Sequence, residues 1–129
     1  MPKLRVLLPL ALGLFAAATP ALANTLSGED IRREIIGKRI FLATPLGGEL
    51  PLNYRRDGRV DGSGEAIGLG RFFRPTDDGR WWIDGNRLCQ QWRTWYDGQQ
   101  MCFTLRRTSE GRLAWRRDNG ETGVARIGE

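Results

Sequence analysis

The sequence predicts a mainly β domain: an antiparallel meander, or a small closed or nearly closed barrel, of about seven to nine strands with one short N-terminal helix. Three observations carry this. From residue 38 onward the chain is built of short runs in which apolar and polar residues alternate, the period of a half-buried strand. The runs are separated by Asp57-Gly58, Asp78-Gly79, Asp84-Gly85, Asp97-Gly98, Glu110-Gly111 and Asn119-Gly120, all read as turns because such pairs tolerate the positive φ of tight hairpins. Connections this short force neighbouring strands to run antiparallel. Successive pairs lie 21, 6, 13, 13 and 9 residues apart, which excludes a fixed-period repeat.

The first 23 residues have the pattern of an export signal. Lys3 and Arg5 precede an apolar run from Val6 to Ala18, and Thr19-Pro20-Ala21-Leu22-Ala23 supplies a small-x-small cleavage site. The apolar run is shorter than the ~20 residues a transmembrane helix needs, and no later stretch is long and apolar enough to span. The expectation is cleavage after Ala23, residues 24–129 as a single β-rich domain, and a periplasmic or secreted location. Losing Lys3 and Arg5 leaves 18 basic and 15 acidic residues, a net of +3 against +5 for the whole chain. That balance does not point to nucleic acid.

Leu26-Ser27-Gly28-Glu29-Asp30-Ile31 reads as a helix start. Ser27 and Asp30 have the spacing of a capping box, and Leu26 and Ile31 that of a hydrophobic staple. Gly37 is a natural stop, so the helix spans roughly 28–36. Strands are expected near 38–44, 49–56, 59–63, 67–74, 80–84, 87–93, 100–107, 112–117 and 122–127. The inward phase is read from alternation: Ile40 and Leu42; Leu50, Leu52 and Tyr54; Trp81 and Ile83; Leu88 and Trp92; Met101, Phe103 and Leu105; Leu113 and Trp115.

Cys89 and Cys102 are the only two cysteines. In an exported chain a disulfide is the default. Both fall opposite the apolar phase of their strands, so both point to the outer face, and pairing them places Leu88 opposite Phe103. A tight Asp97-Gly98 turn would instead pair residue 93 with 102. The disulfide therefore requires either a wider loop, roughly Thr94 to Asp97, or a bulge that shifts the register.

The chain has no histidine, which removes Ser-His-Asp and Cys-His catalysis and His-ligated metal centres. No spacing selects a catalytic carboxylate pair: Asp57, Asp78, Asp84, Asp97 and Asp118 fall in turns, and Glu49, Glu65 and Glu121 are scattered. No catalytic residue, metal site or cofactor is expected. The doublets Arg32-Arg33, Arg55-Arg56, Arg106-Arg107 and Arg116-Arg117 read as solvated ends of elements, with the turns at 57–58 and 119–120 at one end of a meander and that at 109–111 at the other. The one constellation above background is on the outer face. Trp82 falls in the outer phase beside Cys89, Trp95 does so if its strand is regular that far, and Tyr96, Gln91 and Arg93 are near. Aromatic faces flanked by amide and guanidinium donors suit a glycan strand or a protein partner.

Leu26-Ser27-Gly28-x-x-Ile31-Arg32, Asp57-Gly58-Arg59, Gly79-x-Trp81-x-x-Asp84-Gly85-Asn86-x-Leu88-Cys89-x-x-Trp92 and the later Cys102 resemble small exported proteins of unknown function from Gram-negative bacteria, alphaproteobacteria especially. The resemblance implies a periplasmic compartment and carries over no catalytic residue. Gly79-x-Trp81 is also loosely similar to lipocalin-type barrels, a likeness that implies no ligand. The resulting expectation is a monomeric, non-enzymatic periplasmic binding or accessory domain that meets a periplasmic protein or cell-envelope glycan through the outer aromatic surface, not nucleic acid. The alternatives are a small-ligand carrier with a cavity inside the barrel, or a secreted hydrolase or enzyme inhibitor. Against the carrier stands the bulk of Trp81, Trp92, Phe103, Leu105 and Trp115, which would fill a small barrel.

Overall fold

The computed structural model describes residues 24–45, 47–64 and 74–128. They form a closed antiparallel barrel of eight strands, each hydrogen-bonded to its neighbours in sequence order, with β8 returning to β1. The strands are β1 (Arg39–Ala43), β2 (Glu49–Tyr54), β3 (Arg59–Ser63), β4 (Thr76–Asp84), β5 (Arg87–Trp92), β6 (Gln100–Ser109), β7 (Arg112–Arg117) and β8 (Thr122–Ile127). One helix, α1 (Gly28–Glu34), precedes them. The expected signal segment, 1–23, lies outside the described residues. No helix among them is long and apolar enough to cross a membrane.

The helix forms as its sequence directs. The Ser27 hydroxyl accepts the Asp30 N–H, and the Asp30 carboxylate accepts the Ser27 N–H. Leu26 and Ile31, the staple pair, are fully buried. The helix ends two residues early, with Ile35 as its cap. Gly37, at φ +86°, turns the chain into β1 while its N–H donates to Tyr54 O. Seven residues cannot hold a helix in water unaided; this one is held by docking. Ile31, Ile35 and Ile36 are buried in the core, and the Gly28 N–H donates to Asn86 Oδ1 in the β4–β5 turn. Glu34 pairs with Arg107 of β6. The helix thereby closes the barrel end that carries the turns at 55–58, 85–86 and 110–111. Ahead of it, Thr25 bridges to Arg106, and residues 24–26 continue along β6.

One expected strand falls outside the described residues, and one expected turn is corrected. The expected strand at 67–74 lies outside the described residues up to 73, Arg74 is in no strand, and β3 pairs directly with β4. Asp78-Gly79 is not a turn. It lies within β4, with Asp78 opposite Asp61 and Gly79 between Val60 and Trp92. A Cβ at Gly79 would come within 2.1 Å of Gln91 O, so glycine is there because two backbones approach closely. Because β3 pairs directly with β4, the ends are reassigned. The turns at 57–58 and 110–111 share the helix end, and that at 118–121 lies at the opposite end.

Cys89 and Cys102 are bonded, with Cα atoms 4.0 Å apart. They are direct register partners, and Leu88 lies opposite Phe103. The wider-loop alternative is the one adopted. β5 stops at Trp92, β6 starts at Gln100, and a 3-10 turn over Trp95–Gly98 occupies the connection.

Candidate functional site: a cavity inside the barrel

The inner face follows the expected phase. Ile40, Leu50, Leu52, Tyr54, Leu88, Trp92, Met101, Leu105 and Leu113 are buried, and Leu42, Trp81, Ile83, Phe103 and Trp115 pack against them. Yet the interior is not filled. A cavity of about 80 Å³ remains, lined from Ile35 at the helix end to Tyr96, Arg117 and Glu121 at the other. Tyr96 is 48% exposed and the Glu121 side chain 63% exposed, so the cavity reaches the surface at that mouth.

The large aromatics leave this space because they lie against the wall. Small residues occupy inward positions: Gly62 on β3, Gly79 on β4, Gly123 and Ala125 on β8. Trp115 faces Gly123 across the β7–β8 pair, and a Cβ there would come within 2.3 Å of the indole. Trp95 lies over Gly62 in the same way, with a Cβ contact of 2.8 Å. Trp115 also meets Phe103 edge-on, ring centroids 5.5 Å apart, and Trp92 packs against Trp95 at a tilt of 43°, ring centroids 4.7 Å apart. Trp81 is anchored at the helix end, where its Nε1 donates to Arg55 O.

Polar groups enter the lumen at two levels. Gln90, buried between Leu88 and Trp92 in the inner phase, accepts a 2.6 Å hydrogen bond from the Tyr54 hydroxyl of β2. β2 and β5 are not neighbours, so this bond struts the barrel across its interior. Burial pushes the Tyr54 phenol well above its ordinary pKa, and the hydroxyl stays a donor. At the mouth, Arg117 lies in the inner phase of β7 opposite Phe103, its side chain only 12% exposed. Its nearest charged partners are Asp118 at 3.8 Å and Glu121 at 3.7 Å, and Gln99 Oε1 is 3.4 Å away. Trp92 Nε1, Trp115 Nε1 and Arg117 Nε are buried donors with no hydrogen-bond acceptor in the protein. All three residues line the cavity.

The mouth is held by Asp77. This inward residue of β4 is buried, and its carboxylate accepts the N–H groups of Thr94 and Trp95, both at 2.8 Å. Burial opposes its ionisation, but those backbone donors outweigh the cost and leave its pKa below the ordinary value. The fixed loop then carries Tyr96 and Asp97 in left-handed conformations, each at φ 55°, a strained setting for a tyrosine. Desolvation raises the Tyr96 phenol pKa, and the nearby Arg117 charge pulls it down.

The five residues expected to form an outer surface are thus divided. Trp82 is on the outer face, directly opposite Cys89, and the Arg80 guanidinium lies 4.9 Å over its ring. Gln91 is also outside, but its amide is committed: Oε1 accepts from Arg80, and Nε2 donates to Gly98 O. Arg93 pairs with Asp78 at 3.1 Å. Trp95 is not in the outer phase. The strand ends at Trp92, and the 3-10 turn folds Trp95 back onto the core, with its Nε1 donating to Arg74 O. Tyr96 stands at the mouth. The expectation that aromatics fill the lumen is corrected by the cavity itself. Two lumenal residues escaped the sequence reading, Gln90 and Arg117. Strict alternation from Leu88 and from Leu113 reaches both, but a polar residue at the inner phase of a short strand looks the same as a solvated strand end.

Among the described residues no group of acidic or cysteine side chains is arranged to hold a metal ion. Fold and site together define a small closed barrel with one end plugged by a helix and an apolar lumen opening at the other. No family model matches the chain, and neither a curated protein nor a solved structure matches it.

Proposed function

We propose that this protein is a non-enzymatic carrier or sensor domain of the cell envelope that binds a small, largely apolar molecule inside its barrel. The supporting observation is the cavity, whose apolar wall runs from Ile35 at the floor to exposed residues at the mouth. A pocket lined by apolar and aromatic side chains with a few polar groups is the usual form of a small-molecule site. The disulfide fits the oxidising compartment that the export signal implies. The outer-face reading has less support, because Trp95 packs inward and Gln91 and Arg93 are engaged by Gly98 and Asp78.

Titration with 1-butanol, followed by calorimetry and tryptophan fluorescence, tests the reading. Saturable binding at one site per chain is expected, with a change in emission because Trp92 and Trp115 line the wall. Ala125→Phe, which inserts a ring into the lumen, should abolish binding while the protein still melts cooperatively. Undiminished binding in that folded variant would place the alkanol elsewhere and remove the proposal.

A further inference from the structure

The lumen is asymmetric in its hydrogen-bonding capacity, and that asymmetry specifies a head group. The unpartnered buried side-chain atoms among the described residues are Trp92 Nε1, Trp115 Nε1 and Arg117 Nε. Each is an N–H donor, and neither an indole N–H nor a guanidinium can accept. A buried donor without an acceptor carries its desolvation cost uncompensated. Three such donors on residues lining one cavity call for a ligand that brings acceptors.

Arg117 narrows the choice. Its Gln99 contact, at 3.4 Å, and its Asp118 and Glu121 contacts, at 3.8 and 3.7 Å, all exceed the usual 2.7–3.2 Å of an N–H···O bond. The two acids offset its charge without taking up its fork of donors. Their side chains are 43% and 63% exposed, whereas that of Arg117 is 12% exposed. A carboxylate is the planar acceptor that fits a guanidinium through two parallel bonds. The cavity's size limits what can follow the head group. At about 80 Å³ it is smaller than the ~150 Å³ apolar cavity that admits a benzene ring. A space too small for benzene takes a short acyl chain of only a few carbons.

Resting on the carrier reading above, we infer that the ligand is a slender monocarboxylate. Its acyl chain lies along the apolar wall toward Ile35, and its carboxylate stays at the mouth on the Arg117 guanidinium. Arg117 is then the residue that sets head-group specificity, and the apolar wall supplies affinity for the tail.

The probes are butanoate, methyl butanoate, 1-butanol and butylamine, which share a tail length and differ at the head, measured by calorimetry on the oxidised protein. Butanoate is expected to bind about tenfold or more tighter than the other three, the scale of a charge-assisted bidentate contact. Arg117→Met should bring butanoate down to the level of the ester and leave 1-butanol within about twofold of its original affinity. Arg117→Lys, which keeps the charge and loses the fork, should fall between. If methyl butanoate or 1-butanol binds wild type as tightly as butanoate, the carboxylate assignment is overturned while the lumen remains a site. If Arg117→Met loses 1-butanol as well, Arg117 shapes the mouth and does not read the head group, which also overturns it. Should Arg117→Met fail to fold, the wild-type comparison of acid with ester decides alone. Failure of all four probes to bind would remove the carrier reading together with this one.

Discussion

Trp115 rests on Gly123, and Trp95 on Gly62, because register places an indole beside a residue without a side chain. Those two contacts explain how a barrel this narrow keeps space inside. They also explain why the cavity was not legible in the sequence. Counting bulky aromatics in the inner phase ignores which residue faces each of them, and facing pairs are a property of register. The inner phase itself was legible, since Leu113, Trp115 and Arg117 are each two residues apart. Arg117 was lost because an arginine beside Arg116 resembles a solvated strand end. Burial separates the tryptophans in a testable way. Trp92 is 2% exposed, so Trp92→Ala should cost about 3–5 kcal/mol in chemical denaturation, the cost of a large cavity. Trp82 is half-buried on the outer face under Arg80, and Trp82→Ala should cost less than about 1 kcal/mol. Equal losses would mean that Trp82 supports the core through the β4–β5 wall.

At the scale of elements, the cysteines fix the register of the β5–β6 pair and the 93–99 loop inherits its ends from it. Reducing the disulfide should lower unfolding stability by roughly 2–4 kcal/mol, read as a shift in denaturant midpoint with and without reductant; an unchanged midpoint would refute that contribution. The loop's second anchor is Asp77, and its effect depends on pH. Because the native pKa is depressed, the anchor contributes in full above the unfolded Asp value of ~3.9. That contribution is lost as pH falls through the lower native value. Asp77→Ala, which leaves the Thr94 and Trp95 N–H groups without their acceptor, should cost about 1–3 kcal/mol at neutral pH. Its difference from wild type should shrink in acid; a constant difference down to pH 2 would contradict the assignment. The sequence carried the helix, its cap and the cysteine partnership, all local or phase-based signals. It misread Asp78-Gly79, because a glycine demanded by close backbone approach looks the same as one demanded by a turn.

At the scale of the whole molecule, a barrel whose strands pair in sequential order, β3 directly with β4, sets which turns share an end. Arg55-Arg56 and Arg106-Arg107 thereby join the helix end, while Arg117 remains at the mouth. If residues 1–23 are removed on export, mass spectrometry of the secreted protein should give a chain beginning at Asn24 and two hydrogens lighter than the dithiol form. A mature mass that retains residues 1–23 would overturn the proposed envelope location. The plug formed by α1 has a kinetic consequence. A tube sealed at one end offers the same passage for arrival and departure, so any guest is admitted and released past Tyr96 and Glu121. A substitution there that leaves the bound contacts untouched changes both rate constants by one factor and cancels from the equilibrium constant. A substitution at Ile35, on the sealed floor, is met only by a guest already inside and is therefore expressed in the dissociation rate alone.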